Sequence, residues 1–199
     1  MPRRIHFYDP PQRFVAGTVG PPGQRTFFLQ ARDDSQITSV VLEKVQVELL
    51  ARKIDEMLDD LTTEQTSVAI PAAPSAEEAD TDPLDQPIVE EFRVGNLRLG
   101  WHEEEGVVVI EAFSAEDPPE DSGQEAAEEP ADPDELIGDE ADRRRELLLV
   151  RLTPAQARSF AQRAALLVAA GRPPCPFCAQ PLDPDGHVCP RQNGYARRA

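Results

Sequence analysis

Apolar residues recur along this chain with two different periods, and the change from one to the other lays out its elements. Arg13-Phe-Val-Ala-Gly-Thr-Val and Arg25-Thr-Phe-Phe-Leu-Gln-Ala are short runs rich in β-branched and aromatic residues, a composition that suits a pleated, half-buried surface. Gly20-Pro-Pro-Gly23 stands between them, so the pair predicts a hairpin. A third strand is predicted from Ile37 to Leu42, after Asp33-Asp34-Ser35. The period then lengthens: Leu50, Ile54, Met57, Leu58 and Leu61 fall on one stripe, with Lys53, Asp55, Glu56, Asp59 and Asp60 mostly off it. That spacing predicts an amphipathic helix running through Leu61.

The same order returns further on. Phe92 to Trp101 alternates as a strand, with a phase slip at Gly95-Asn96 that predicts a bulge. Glu103-Glu-Glu-Gly106 reads as a turn, Val107 to Phe113 as a strand, and Glu146 to Leu152 as another. A second helix is then announced by Thr153 as N-cap, Pro154 at the first helical position and Gln156 at the capping-box position. Ala157, Phe160, Ala161, Ala164, Leu167 and Val168 are expected to face the core, and Gly171 with Pro173-Pro174 to end the helix. The expectation is an α+β fold: two βββα halves, residues 1–62 and 88–171, form one sheet with helices on one face, in a domain spanning 1–171. An internal pseudo-two-fold axis is one arrangement of such halves. The alanine-rich second helix suits close approach to the sheet or the other helix, and equally a homodimer interface.

The formal charge of −17 is unevenly distributed. Residues 76–91 carry seven acids (Glu77, Glu78, Asp80, Asp82, Asp85, Glu90 and Glu91), residues 115–142 carry thirteen, and neither stretch holds a base. Without those twenty charges the remainder stands at +3, so the folded part is near neutral. Segments 71–87 and 115–142 have few large apolar groups, and burial there cannot repay the entropy of ordering. Both are expected to be disordered acidic loops, serving as solvated spacers. A sharper role for 115–142 is to fold back over the arginine-rich C-terminal third as a competitor for an acidic ligand.

All three cysteines lie near the C-terminus, as Cys175-Pro-Phe-Cys178 and, after eight residues, His187-Val-Cys189. Three thiolates and one imidazole at this spacing read as a tetrahedral site for one structural Zn²⁺, with iron as the second choice. Residues 172–199 are therefore expected to form a zinc knuckle, and no cysteine is left for a disulfide. Beyond it, Arg191, Asn193, Tyr195, Arg197 and Arg198 offer phosphate-pairing, base-edge and stacking groups for a nucleic acid, or contacts for a partner protein.

Two stretches permit a family comparison. Phe7 through Gly20, followed by Arg25 to Ala31, and the C-terminal Cys-Pro-Phe-Cys…His-x-Cys-Pro-Arg-x-Asn-Gly-Tyr from Cys175 to Tyr195, resemble an actinobacterial family catalogued as domain of unknown function 3090. The resemblance implies a cytoplasmic protein from a high-GC Gram-positive source, encoded near kinase-like and phosphatase-like proteins, with no established activity.

Three functions are weighed. The first is a non-enzymatic zinc-containing adaptor or regulatory protein whose partner is another protein, with Phe27-Phe28 or Trp101 at strand edges as contacts. The second is RNA or DNA binding through the knuckle and tail, which the sequence pI near 4.5 opposes. The third is an enzyme using a cleft formed by His6, Asp9, His102 and a glutamate. No phosphate-binding loop, dinucleotide fingerprint or nucleophile elbow is present. Met1-Pro-Arg-Arg-Ile-His lacks a signal-peptide pattern, and the longest apolar run, Ala164 to Ala170, is far below the roughly 20 residues of a membrane span; the expectation is a soluble, cytoplasmic protein without membrane contact.

Overall fold

The computed structural model describes residues 4–21, 23–34, 36–63, 68–74, 80–115, 145–170, 175, 177 and 178. The elements run β1 (Ile5–Tyr8), β2 (Arg13–Val19), β3 (Thr26–Arg32), β4 (Ile37–Leu42), α1 (Lys44–Thr63), β5 (Glu90–His102), β6 (Val107–Ser114), β7 (Leu147–Leu152) and α2 (Pro154–Ala169). The fold is α+β, a seven-stranded sheet in the order β1-β7-β6-β5-β4-β3-β2 with two helices. Strand β1 is an element that the hydrophobic pattern did not announce.

Pairing is antiparallel from β2 to β3 and β3 to β4, parallel from β4 to β5, antiparallel from β5 to β6 and β6 to β7, and parallel again from β7 to β1. Strands β2, β4, β5 and β7 therefore point the same way. A two-fold axis normal to the sheet would bring corresponding strands of the two halves together in opposite directions. Here the last strand of one meander lies parallel beside the first of the next, which excludes a two-fold normal to the sheet and sets the two meanders in tandem.

The two ends of the sheet are joined by only four residues, 9–12. Five extended steps from Tyr8 to Arg13 reach about 17 Å, whereas six strand spacings in a flat sheet separate the edges by about 29 Å. The sheet must curl. Its long strand β5 serves both parts: Glu90 to Arg93 pair with β4, Val94 to His102 pair with β6, and the register slips between Val94 and Asn96, at the predicted bulge.

Inside the curl, alternate residues of every strand meet the helices in one cluster that includes Phe14, Leu29, Val40, Ile110 and Val150. From α1 come Val47, Leu50, Ala51, Ile54 and Leu58, and from α2 Ala157, Phe160, Ala161 and Ala164. Each fully buried large side chain contributes about 1.5–3 kcal/mol. Helix α2 starts as its sequence reads: Thr153 and Gln156 form a reciprocal capping box with Pro154 at the start. Gly171, the expected stop, lies outside the described residues. Among the described residues no helix is long and apolar enough to cross a membrane.

Candidate functional site

The outer face of β2–β4 carries its own small core, Val15, Phe28 and Val41, covered by Leu84 and flanked by Ile88. Acidic composition predicts disorder throughout segment 71–87; of it, residues 80–87 instead form a strap fastened to the sheet. Leu84 is only 7% exposed. It sits over Gly17, where a Cβ would lie 2.4 Å from Leu84 Cγ, so β2 needs a glycine for close approach. Gly17 makes no bulge, since β2 and β3 stay in register from Arg13 to Val19.

Two arginines hold the strap. Arg13 Nε donates to Asp80 at 2.5 Å, its Nη1 to Asp85 at 2.7 Å and its Nη2 to the carbonyls of Asp82 and Pro83, both at 3.0 Å. Arg163, on α2, donates to Ala16 O on β2 at 3.0 Å, to the carbonyl and carboxylate of Asp80 at 2.6 and 2.7 Å, and to Asp82 O at 2.6 Å. Gln30 completes the clamp, accepting from Asp85 N–H at 2.8 Å and donating to Asp85 O at 3.1 Å. The Arg13 bond holds the Asp80 carboxyl below the ordinary carboxylate range, and Asp80 in turn raises the pKa of Arg13. Burial lowers the pKa of Arg163, with Asp80 opposing and Arg13 adding to the fall. This groove escaped the sequence reading because its partners are 67 and 83 residues apart; a leucine amid acids was the one local signal.

The histidines do not share a cleft. His6 registers with Leu148, which pairs with Ala112, which pairs with Leu97. His102 lies five residues further along β5, about 17 Å by strand rise alone, and is exposed. The proposed His6–His102 cleft is therefore corrected by strand register. His6 is instead buried, 4% exposed, with Nδ1 3.2 Å from Thr38 Oγ1, which lies 2.8 Å from Tyr8 OH. Its Nε2 has no hydrogen-bond partner among the described residues. Burial lowers the pKa of His6; Glu91 and Glu146 oppose this and Arg4 adds to it. Burial also raises the pKa of Tyr8. Asp9 is engaged elsewhere, by Arg151, which also meets Glu105.

Of the expected partner contacts, Phe27 and Phe28 are buried, one in the main core and one under the strap, and β3 is an interior strand. Trp101 is half-buried against the main core. Those strand-edge contacts are thus corrected. Among the described residues the exposed aromatics are Phe7, on edge strand β1, and Phe177.

Of the predicted metal ligands, Cys175 is 4% exposed and Cys178 half-buried. His187 and Cys189 lie outside the described residues, as do Arg191, Asn193, Tyr195, Arg197 and Arg198. Among the described residues no group of three or more His, Cys, Asp or Glu side chains is arranged to hold a metal ion. No curated protein and no solved structure matches the chain. A family model does, over residues 6–189, and the chain belongs to that family, described as protein of unknown function (DUF3090).

Proposed function

We propose that this is a non-enzymatic, zinc-containing binding protein, cytoplasmic, in which the two βββα units form a scaffold and the C-terminal Cys/His module meets a protein partner. The observation that carries the reading is the contrast between neighbours: Cys175 is buried while Phe177 is 58% exposed. A buried thiolate beside an outward aromatic suits a metal-pinned turn that presents an apolar contact. Cys175, Cys178, His187 and Cys189 would hold the ion, which supplies cross-linking rather than chemistry, because four protein ligands leave no open position.

The test is metal analysis of purified protein, with one equivalent of zinc expected and loss of it in Cys178→Ser. A partner captured by the full chain should be lost on deletion of 172–199 and weakened by Phe177→Ser. Absence of bound metal in wild type would remove the reading.

A further inference from the structure

Strap residues Asp80-Thr-Asp-Pro-Leu84 have a counterpart in the chain. Asp132-Pro-Asp-Glu-Leu136 repeats the Asp-x-Asp-x-Leu pattern, each preceded by alanine, and the pattern occurs nowhere else in the sequence. Within residues 116–144 the only large apolar side chains are Leu136 and its neighbour Ile137. We propose that the outer groove of β2–β4 is a recognition site for acidic Asp-x-Asp-x-Leu segments, filled in this structure by the strap and able to exchange it for Asp132–Leu136 of the same chain.

The contacts define what the groove reads. It needs a carboxylate for Arg13 and Arg163 at the first position, supplied by Asp80. It needs a leucine for the Gly17 notch four residues later. Everything between is read through backbone: the carbonyls of Asp80, Asp82 and Pro83 accept from the two arginines, and Gln30 pairs with the N–H and C=O of residue 85. A segment of different intervening sequence can make those bonds equally well. The third position is bonded through its carbonyl, and its carboxylate adds negative charge near Arg163. At the place of Asp85, which gives Arg13 a second carboxylate, the repeat carries Ile137. The second segment should thus bind the more weakly, in agreement with the strap holding the site.

Reach is sufficient. Ala115 N–H donates to Arg93 O at 2.8 Å, and Arg93 registers with Val41 of β4, which lines the groove. Ser114 and Glu146 are bonded to each other, so the other end of the intervening chain starts at β7, five strand spacings or about 24 Å from β2. Three strand spacings from β5 to β2 amount to about 14 Å. The extended chain spans about 50 Å from Ala115 to Ala131 and about 30 Å from Leu136 to Arg145. The inference involves none of the C-terminal cysteines and stands apart from the metal reading.

A fluorescein-labelled peptide of residues 129–140 would be titrated into the full-length protein, its Leu84→Ser variant, and the Leu84→Ser/Leu136→Ser double variant. Wild type should bind it least. The single variant should bind weakly, its own second segment competing, and the double variant at least tenfold more tightly than the single one. The same peptide with Leu136→Ser should not bind. Equal affinity for the two variants, or undiminished binding of the substituted peptide, would overturn the proposal. So would a concentration-dependent rise in mass of Leu84→Ser, which places the exchange between copies. Should Leu84→Ser fail to fold, the series built on Asp80→Asn, which keeps the apolar anchor, must show the same order of affinities.

Discussion

The groove under the strap and the junction of β1 with β4 both take polar side chains out of water, by opposite means. In the groove the charged groups are part-buried and every one named is paired, beside the neutral, buried Gln30: Arg13 and Arg163 share Asp80, and Asp85 answers Arg13. At the junction the groups are neutral, a chain of imidazole and two hydroxyls with one ring nitrogen lacking a described partner. Charge can be buried when opposite charge and hydrogen bonds come with it; without them the group sheds its charge. The two sites should therefore respond to acid in different windows.

The largest effect should come from breaking the groove sterically. Gly17→Val drives a side chain into Leu84 and should cost about 3 kcal/mol in urea unfolding, from overpacking together with lost strap burial. A Cβ placed on Gly100, on the outer side of β5, would meet no described atom within 4 Å, so Gly100→Val should be close to neutral; equal losses would refute the account of Gly17. Arg13→Met comes next, at about 2 kcal/mol. A fully buried ion pair would cost more on losing one partner, but Asp80 and Asp85 are each about a quarter exposed and keep Arg163 and Arg32 nearby. Thr153→Ala, which removes the α2 cap, should cost about 1 kcal/mol by thermal or urea melting.

The smallest effect at neutral pH concerns His6, and it sharpens the comparison most. Its folded pKa is lowered by burial, while the unfolded chain takes up the proton near about 6.5. Its contribution is present above that value and lost as pH falls through the folded pKa. Asp80, also lowered, contributes above about 3.9 and loses that contribution as pH falls through its own folded pKa. Stability measured against pH should fall in two stages, and His6→Gln should flatten the upper stage while leaving the lower. A curve unchanged by that substitution would refute a buried neutral histidine.

What was legible in the sequence followed the range of the forces involved. Strands β2 and β4 and the cap of α2 came out with their observed limits because alternation and capping act over a few residues. Helix α1 showed its stripe for the same reason. Strand β1 did not, since His6 and Tyr8 look like ordinary polar residues until Thr38 of β4 stands opposite. Arg158 was similarly hidden. Burial works against its charge, and bonds to Asp59 and Asp55 on α1 outweigh that cost and raise its pKa, a pairing that exists only because the helices pack. Acidic composition misled at the strap, where the counter-charges sit on distant elements. For the proposed metal site the sequence offers the spacing of Cys175, Cys178, His187 and Cys189, and half of that set lies among the described residues.

Strand β1 also has a consequence for biosynthesis. Ile5 pairs with Leu147, 142 residues away, whereas β2, β3, β4 and α1 follow one another without interruption and find their neighbours locally. A nascent chain leaving the ribosome can assemble that meander early, but β1 has no strand to pair with until β7 emerges. Strand β1 precedes the meander in the chain and takes its place in the sheet after it.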